Sequence, residues 1–109
     1  MSEVVVIVTL QAQAGREQEM AEVLTAGSGQ THEEDGCLVY AMHQRVDDPL
    51  EFAIVECWAS QEHLDTHLGL PKVKEMIGTL DGLADGQPAF GVYRTLAAGD
   101  PEKGALARA

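Results

Sequence analysis

The sequence predicts an α+β domain of the ferredoxin-like kind, a split β-α-β-β-α-β sandwich with helices over one face of an antiparallel sheet. Three observations point there. Strand-like and helix-like segments follow one another in that order along the chain. A length of 109 residues, 45% of them hydrophobic, supplies one compact core and leaves no room for a second domain. The first apolar segment, VVVIVTL at residues 4–10, is β-branched almost without a polar break, as in a strand covered on both faces. The helices can bury only one of those faces. The other calls for something outside the chain, most economically a second copy.

Each element has its own signal. After the first strand, REQEMAEVLTAGSGQTHEED places Met20, Val23, Leu24 and Gly27 at helical spacing, in an amphipathic helix weakened near Gly27 and Gly29. Gly36 ends it and opens CLVYAMHQR, which the turn residues Asp47-Asp48-Pro49 join to EFAIVECW as a hairpin. Ser60 suits the N-cap of a short helix through Leu68. Pro71 suits the first turn of the next, where Val73, Met76, Ile77 and Leu80 form one stripe. DGLADGQP, residues 81–88, has the composition of a loop, and AFGVYRTL, residues 89–96, that of a last strand. The expected division is a domain over residues 1–97 and a flexible, polar C-terminal tail over 98–109.

Charge and cysteine content narrow the function classes. Eighteen acidic against seven basic side chains give a formal charge of -11, which repels nucleic acid and anionic membrane surfaces. No apolar run approaches the roughly 18 residues of a membrane span, and no signal-peptide pattern opens the sequence, so a soluble, cytoplasmic protein is expected. Cys37 and Cys57 are too few for a disulfide framework and lack zinc-site spacing; both are read as small hydrophobes.

The segments AGREQEM, EEDGCLVYAMHQ, DDPLEFAIVECW and EHLDTHLGLPKVKEM, in that order and spacing, resemble the antibiotic biosynthesis monooxygenase (ABM) family of dimeric α/β-barrel proteins. The resemblance runs from Val4 to Leu80 and extends toward Leu96. It implies a homodimer in a dimeric α/β barrel and a monooxygenase that oxidises a small aromatic quinol or anthrone with O2. Similar proteins also include isomerases, haem-degrading enzymes and members without known activity. Similar haem-degrading enzymes carry an asparagine on the first strand and an axial histidine on a later helix; Val8 and Met76 stand at those places. An isomerase of a small phosphorylated ketone would call on Lys72, Lys74 and Arg94. A non-catalytic binding or stress-associated dimer is a further alternative.

If the hairpin turn centres on Asp48, Gln44 pairs with Phe52, Tyr40 with Glu56 and Leu38 with Trp58. One face then carries Leu38, Tyr40, Met42, Phe52, Ile54, Glu56 and Trp58, and the other Cys37, Val39, Ala41, His43, Ala53, Val55 and Cys57. In similar proteins the tryptophan at this place looks into a cavity between sheet and helices, which implies that the first face bounds the site. Glu56 reads either as a buried carboxylate tied to Tyr40, Arg94 or backbone donors, or as a desolvated base. Trp58 reads as core packing or as a wall for a flat ring. His63 and His67 share a helix face, but a pair without a third ligand makes a poor metal site, and none is expected. His63 is read as solvated. His67, among Leu64, Leu68 and Leu70 and just ahead of the proline, reads as a hydrogen-bonded core histidine or as the base for a phenolic substrate. Tyr40 and Arg94 are candidates to orient or stabilise an oxyanion, and Trp58, Met42, Phe52, Met76 and Phe90 are candidates for an apolar wall. No phosphate-binding glycine motif, haem motif or flavin signature occurs, so the oxygenase reading is cofactor-free.

Overall fold

A computed structural model describes residues 2–106 of the chain; the last three residues of the expected tail lie outside them. The elements are β1 (Val4–Gln11), α1 (Glu17–Ala26), α2 (Ser28–His32), β2 (Cys37–Gln44), β3 (Glu51–Trp58), α3 (Gln61–Gly69), α4 (Pro71–Leu83) and β4 (Ala89–Tyr93). The strands form one antiparallel sheet in the order β2-β3-β1-β4, which is the ferredoxin-like arrangement. No helix among the described residues is long and apolar enough to cross a membrane.

Cross-strand pairing sorts the side chains into rows, since paired residues share a face. Tyr40, Glu56, Val6 and Val92 form one row and Met42, Ile54, Val8 and Phe90 the next. This inner face meets Met20 and Leu24 of α1, Leu64 of α3, and Leu80 and Leu83 of α4 in a single core. The helices therefore cover one side of the sheet. On the other side Val5 and Cys57 are buried, whereas Ile7 is 39% exposed and Tyr93 52%.

Local rules explain most boundaries. The Ser60 hydroxyl accepts from the backbone N–H of His63 and caps α3, and Pro71 occupies the first turn of α4, where its missing N–H costs nothing. The expected first helix breaks at Gly27 into α1 and α2. At Gly36 the backbone takes φ +81°, which glycine alone adopts without penalty, and the chain turns into β2.

Three expectations need correction. Asp81, Gly82 and Leu83 are helical rather than loop, because Leu83 extends the buried stripe of Leu80 and its carbonyl is taken by the N–H of Gln13. The last strand stops at Tyr93, three residues early, where its ladder with β1 ends at Val5. Leu38 does not face Trp58. The ladder slips between Cys37 and Val39, so Cys37 stands opposite Trp58 and Leu38 is 45% exposed. Cys37 N–H bonds to Glu34 and Ala59 N–H to Gly36, which pins the strand entrance and forces the bulge.

Candidate active site

Glu56 and Trp58 are two apart on β3 and point the same way, so the indole Nε1–H donates to Glu56 Oε1 at 2.8 Å. Both are enclosed: Trp58 is fully buried and Glu56 is 6% exposed. Across the ladder Tyr40 stands opposite Glu56. From α3, His67 lies over both. Its ring is 4.6 Å from Trp58, tilted by 35°, and 5.7 Å from Tyr40 in an edge contact. The sequence offers these four residues from three elements, and the fold brings them into one cluster.

Beside the cluster is a cavity of about 450 Å³ between the inner face of the sheet and α4. Tyr40, Glu56 and His67 supply its buried polar groups, while Val8, Ile54, Leu68, Val73, Met76 and Phe90 are part of its apolar wall. Lys74, Asp81 and Gln87 also line it and are exposed, which places them at its mouth.

Burial governs the ionisation of this cluster. The Glu56 carboxyl is pushed above its ordinary value by burial; the Trp58 N–H and His67 act against the rise, and Glu34 adds to it. Burial, followed by the charges of Glu56 and Glu34, drives the Tyr40 hydroxyl up to about 12, so it stays a donor at any ordinary pH.

Of the residues selected from sequence, His67, Glu56, Tyr40, Met76 and Phe90 line the cavity. Four do not. Trp58 sits behind His67 and Glu56 and acts as support rather than wall; Phe52 is in the core, and Met42 is half-buried against it. Arg94 follows the end of β4, is exposed and is not among the cavity's lining, so Glu56 finds its partner in Trp58 instead. His63 diverges from His67: its Nδ1 is 2.7 Å from Ser60 Oγ and its Nε2 3.5 Å from Asp35.

Glu34 was not visible in the sequence. Its Oε1 lies 2.8 Å from His67 Nδ1, and its Oε2 lies 3.2 Å from Lys72 Nζ, an ion pair without hydrogen-bond geometry. In the run Glu33-Glu34-Asp35 nothing marks one carboxylate as the buried one.

Residues 3–79 match the sequence profile of the antibiotic biosynthesis monooxygenase family. The chain belongs to the ABM family. Solved structures agree. A protein from Deinococcus radiodurans, named as a candidate antibiotic biosynthesis monooxygenase, is 31% identical, with 89% of this chain and 93% of that one covered at a TM-score of 0.78. A Mycobacterium tuberculosis protein is 26% identical over 94% of this chain and all of its own, at a TM-score of 0.80. A conserved Methanosarcina mazei protein, 24% identical over 86% of this chain and 93% of its own at a TM-score of 0.81, shares the fold. Among proteins of curated function, none matches the ABM chain by sequence.

Proposed function

We propose that this ABM-family protein is a cofactor-independent monooxygenase that oxidises a small aromatic quinol or anthrone with O2. One observation carries the reading: three proton-handling side chains meet in an otherwise apolar cavity of a size suited to a compact fused-ring molecule. Ground-state O2 is a triplet and reacts slowly with closed-shell organic molecules. A site that makes the substrate anionic, and therefore electron-rich, removes that obstacle.

In this mechanism His67 takes the proton of the substrate's enol or phenol hydroxyl. Tyr40, held protonated, donates to the oxyanion that forms, and Glu56, tied to the Trp58 N–H through Oε1, lines the same space. The anion passes one electron to O2, and the resulting radical and superoxide combine into a peroxide at carbon. His67 returns its proton to the peroxide. Cleavage of the O–O bond then yields a carbonyl and water, so one CH2 and one O2 become one C=O and one H2O. The apolar wall keeps bulk water from the charged intermediate.

The same reading includes a homodimer. The sheet face opposite the helices, with Ile7 and Tyr93 exposed on it, suits a second copy of that face. The isomerase alternative has less support. Lys72 is engaged by Glu34 and Arg94 lies outside the cavity, leaving Lys74 as the cation at the mouth.

An oxygen electrode tests the proposal with a panel of quinols and anthrones. Wild-type protein is expected to consume O2 above the uncatalysed rate. His67→Ala should lose roughly 100-fold, the scale for a general base, and Tyr40→Phe about as much, the scale for an oxyanion donor. Substrates that raise the melting temperature without any O2 uptake would make this a binding protein instead.

A further inference from the structure

We infer that Glu34 is the positioning residue of His67, fixing the imidazole as the Nδ1–H tautomer, and that Lys72 clamps Glu34 in place. An ionised carboxylate only accepts hydrogen bonds, so the ring nitrogen 2.8 Å from Glu34 Oε1 is the one that carries the proton. Nε2 is left with its lone pair, on the ring that lines the cavity. Trp58 and Tyr40 touch the ring through its face and edge and set its plane, but neither of those contacts distinguishes one nitrogen from the other. Glu34 alone does so among the described residues.

The placement favours a persistent contact. The side chains of His67 and Glu34 are 3% and 14% exposed, so little water competes for the bond. Lys72, in the first turn of α4, approaches the second carboxylate oxygen from the solvent side. Three separate segments thus converge: the turn before β2, the last turn of α3 and the start of α4. The carboxylate cannot swing away without breaking the Lys72 pair.

For catalysis the inference rests on the proposed oxygenase mechanism, in which His67 is first base and then acid. A proton accepted at Nε2 makes an imidazolium with a carboxylate at one edge and the Trp58 ring at its face. Lys72 holds Glu34 against Nδ1, so the proton taken up at Nε2 sits on the cavity side of the ring for return to the peroxide. Glu34 acts through His67 and does not itself touch the substrate.

Long-range 1H–15N NMR of the full chain, labelled at histidine nitrogen, reads the tautomer without any substrate. The His67 signals are identified by their loss in His67→Ala. Wild type should show a protonated Nδ1 and a bare Nε2. Glu34→Gln should keep that pattern, because its amide oxygen can still accept, and Glu34→Ala should give a mixture. With a substrate that wild type turns over, kcat should fall about tenfold or more in Glu34→Ala with KM within about threefold, and Glu34→Gln should fall between it and wild type. A protonated Nε2 in wild type, or an unchanged tautomer in folded Glu34→Ala, would overturn the inference. If Glu34→Ala does not fold, the wild-type tautomer decides it. If no substrate is consumed, the oxygenase reading fails while the tautomer result still stands.

Discussion

Replacing Trp58 by phenylalanine keeps an aromatic ring on β3 but removes the N–H that reaches Glu56 at 2.8 Å. The oxygen left behind belongs to a carboxyl group only 6% exposed. A buried acceptor stripped of its donor costs about 1–3 kcal/mol, and the missing half of the indole leaves a small void worth about 1 kcal/mol more. At about 4–8 °C per kcal/mol for a chain of this length, the melting temperature should fall by roughly 8–30 °C at neutral pH. The pH dependence is the sharper test. Glu56 has a folded pKa raised above its ordinary 4.5, so its stabilising contribution is complete below that value and is lost as pH rises through the folded one. Wild type should therefore lose stability above about pH 4 relative to Glu56→Gln, which does not titrate. Trp58→Phe should lose more, because the donor that favoured the carboxylate is gone. Thermal melts of wild type, both single variants and the double variant at about pH 4 and about pH 8 complete the cycle. At the higher pH the Trp58→Phe penalty should shrink by about 1 kcal/mol in the Glu56→Gln background, since a neutral amide is cheaper to strand than a carboxylate. Equal penalties at both pH values and in both backgrounds would refute the reasoning.

Further expectations concern assembly and backbone. Sedimentation at micromolar concentration should give about twice the monomer mass, and Ile7→Glu, a charge on the exposed sheet face, should shift the protein toward one copy; a wild-type monomer would defeat the barrel. Gly36→Ala should lower stability by about 2 kcal/mol or more, because φ is +81° and a new Cβ would meet the His63 ring. A melting temperature within a few degrees of wild type would show that the turn relaxes. Gly78→Ala should do the opposite. An added Cβ there meets nothing within 4 Å, so α4 should gain about 1 kcal/mol and the melting temperature should rise by a few degrees; no rise would mean that the helix needs its glycine.

The β2–β3 hairpin was legible because strand alternation and one turn set its faces. The pairs Tyr40 with Glu56 and Gln44 with Phe52 follow from placing one turn, and the Ser60 cap and Pro71 start follow from local chemistry. What escaped depends on contacts between distant segments. The Leu38 bulge is imposed by backbone bonds around Gly36, which no alternation pattern records. The helical Asp81-Gly82-Leu83 has a loop's composition, and only the packing of Leu83 overrides it. Within the candidate site, proximity on β3 tied Glu56 to Trp58, but a two-residue spacing does not say which of them reaches the cavity. Arg94 carries a charge suited to an oxyanion, but it follows the end of β4 at Tyr93 and lies outside the cavity. Glu34 meets His67 across 33 positions of sequence, a relation that no local signal carries.

The Glu56–Trp58 bond has a consequence for how such a protein can diverge. Both ends of it belong to one strand, two residues apart on the same face, so no second element is needed to bring them together. Glu34, Tyr40, Glu56 and His67 all fall within a single contiguous stretch, whereas much of the cavity's apolar wall comes from α4 and the segment that leads into β4. Lys72 aside, whose pair with Glu34 ties the start of α4 to that centre, substitutions along α4 alter the wall without replacing any group of the reactive cluster. Inheritance can therefore conserve a reactive centre while the contour around it drifts toward new guests.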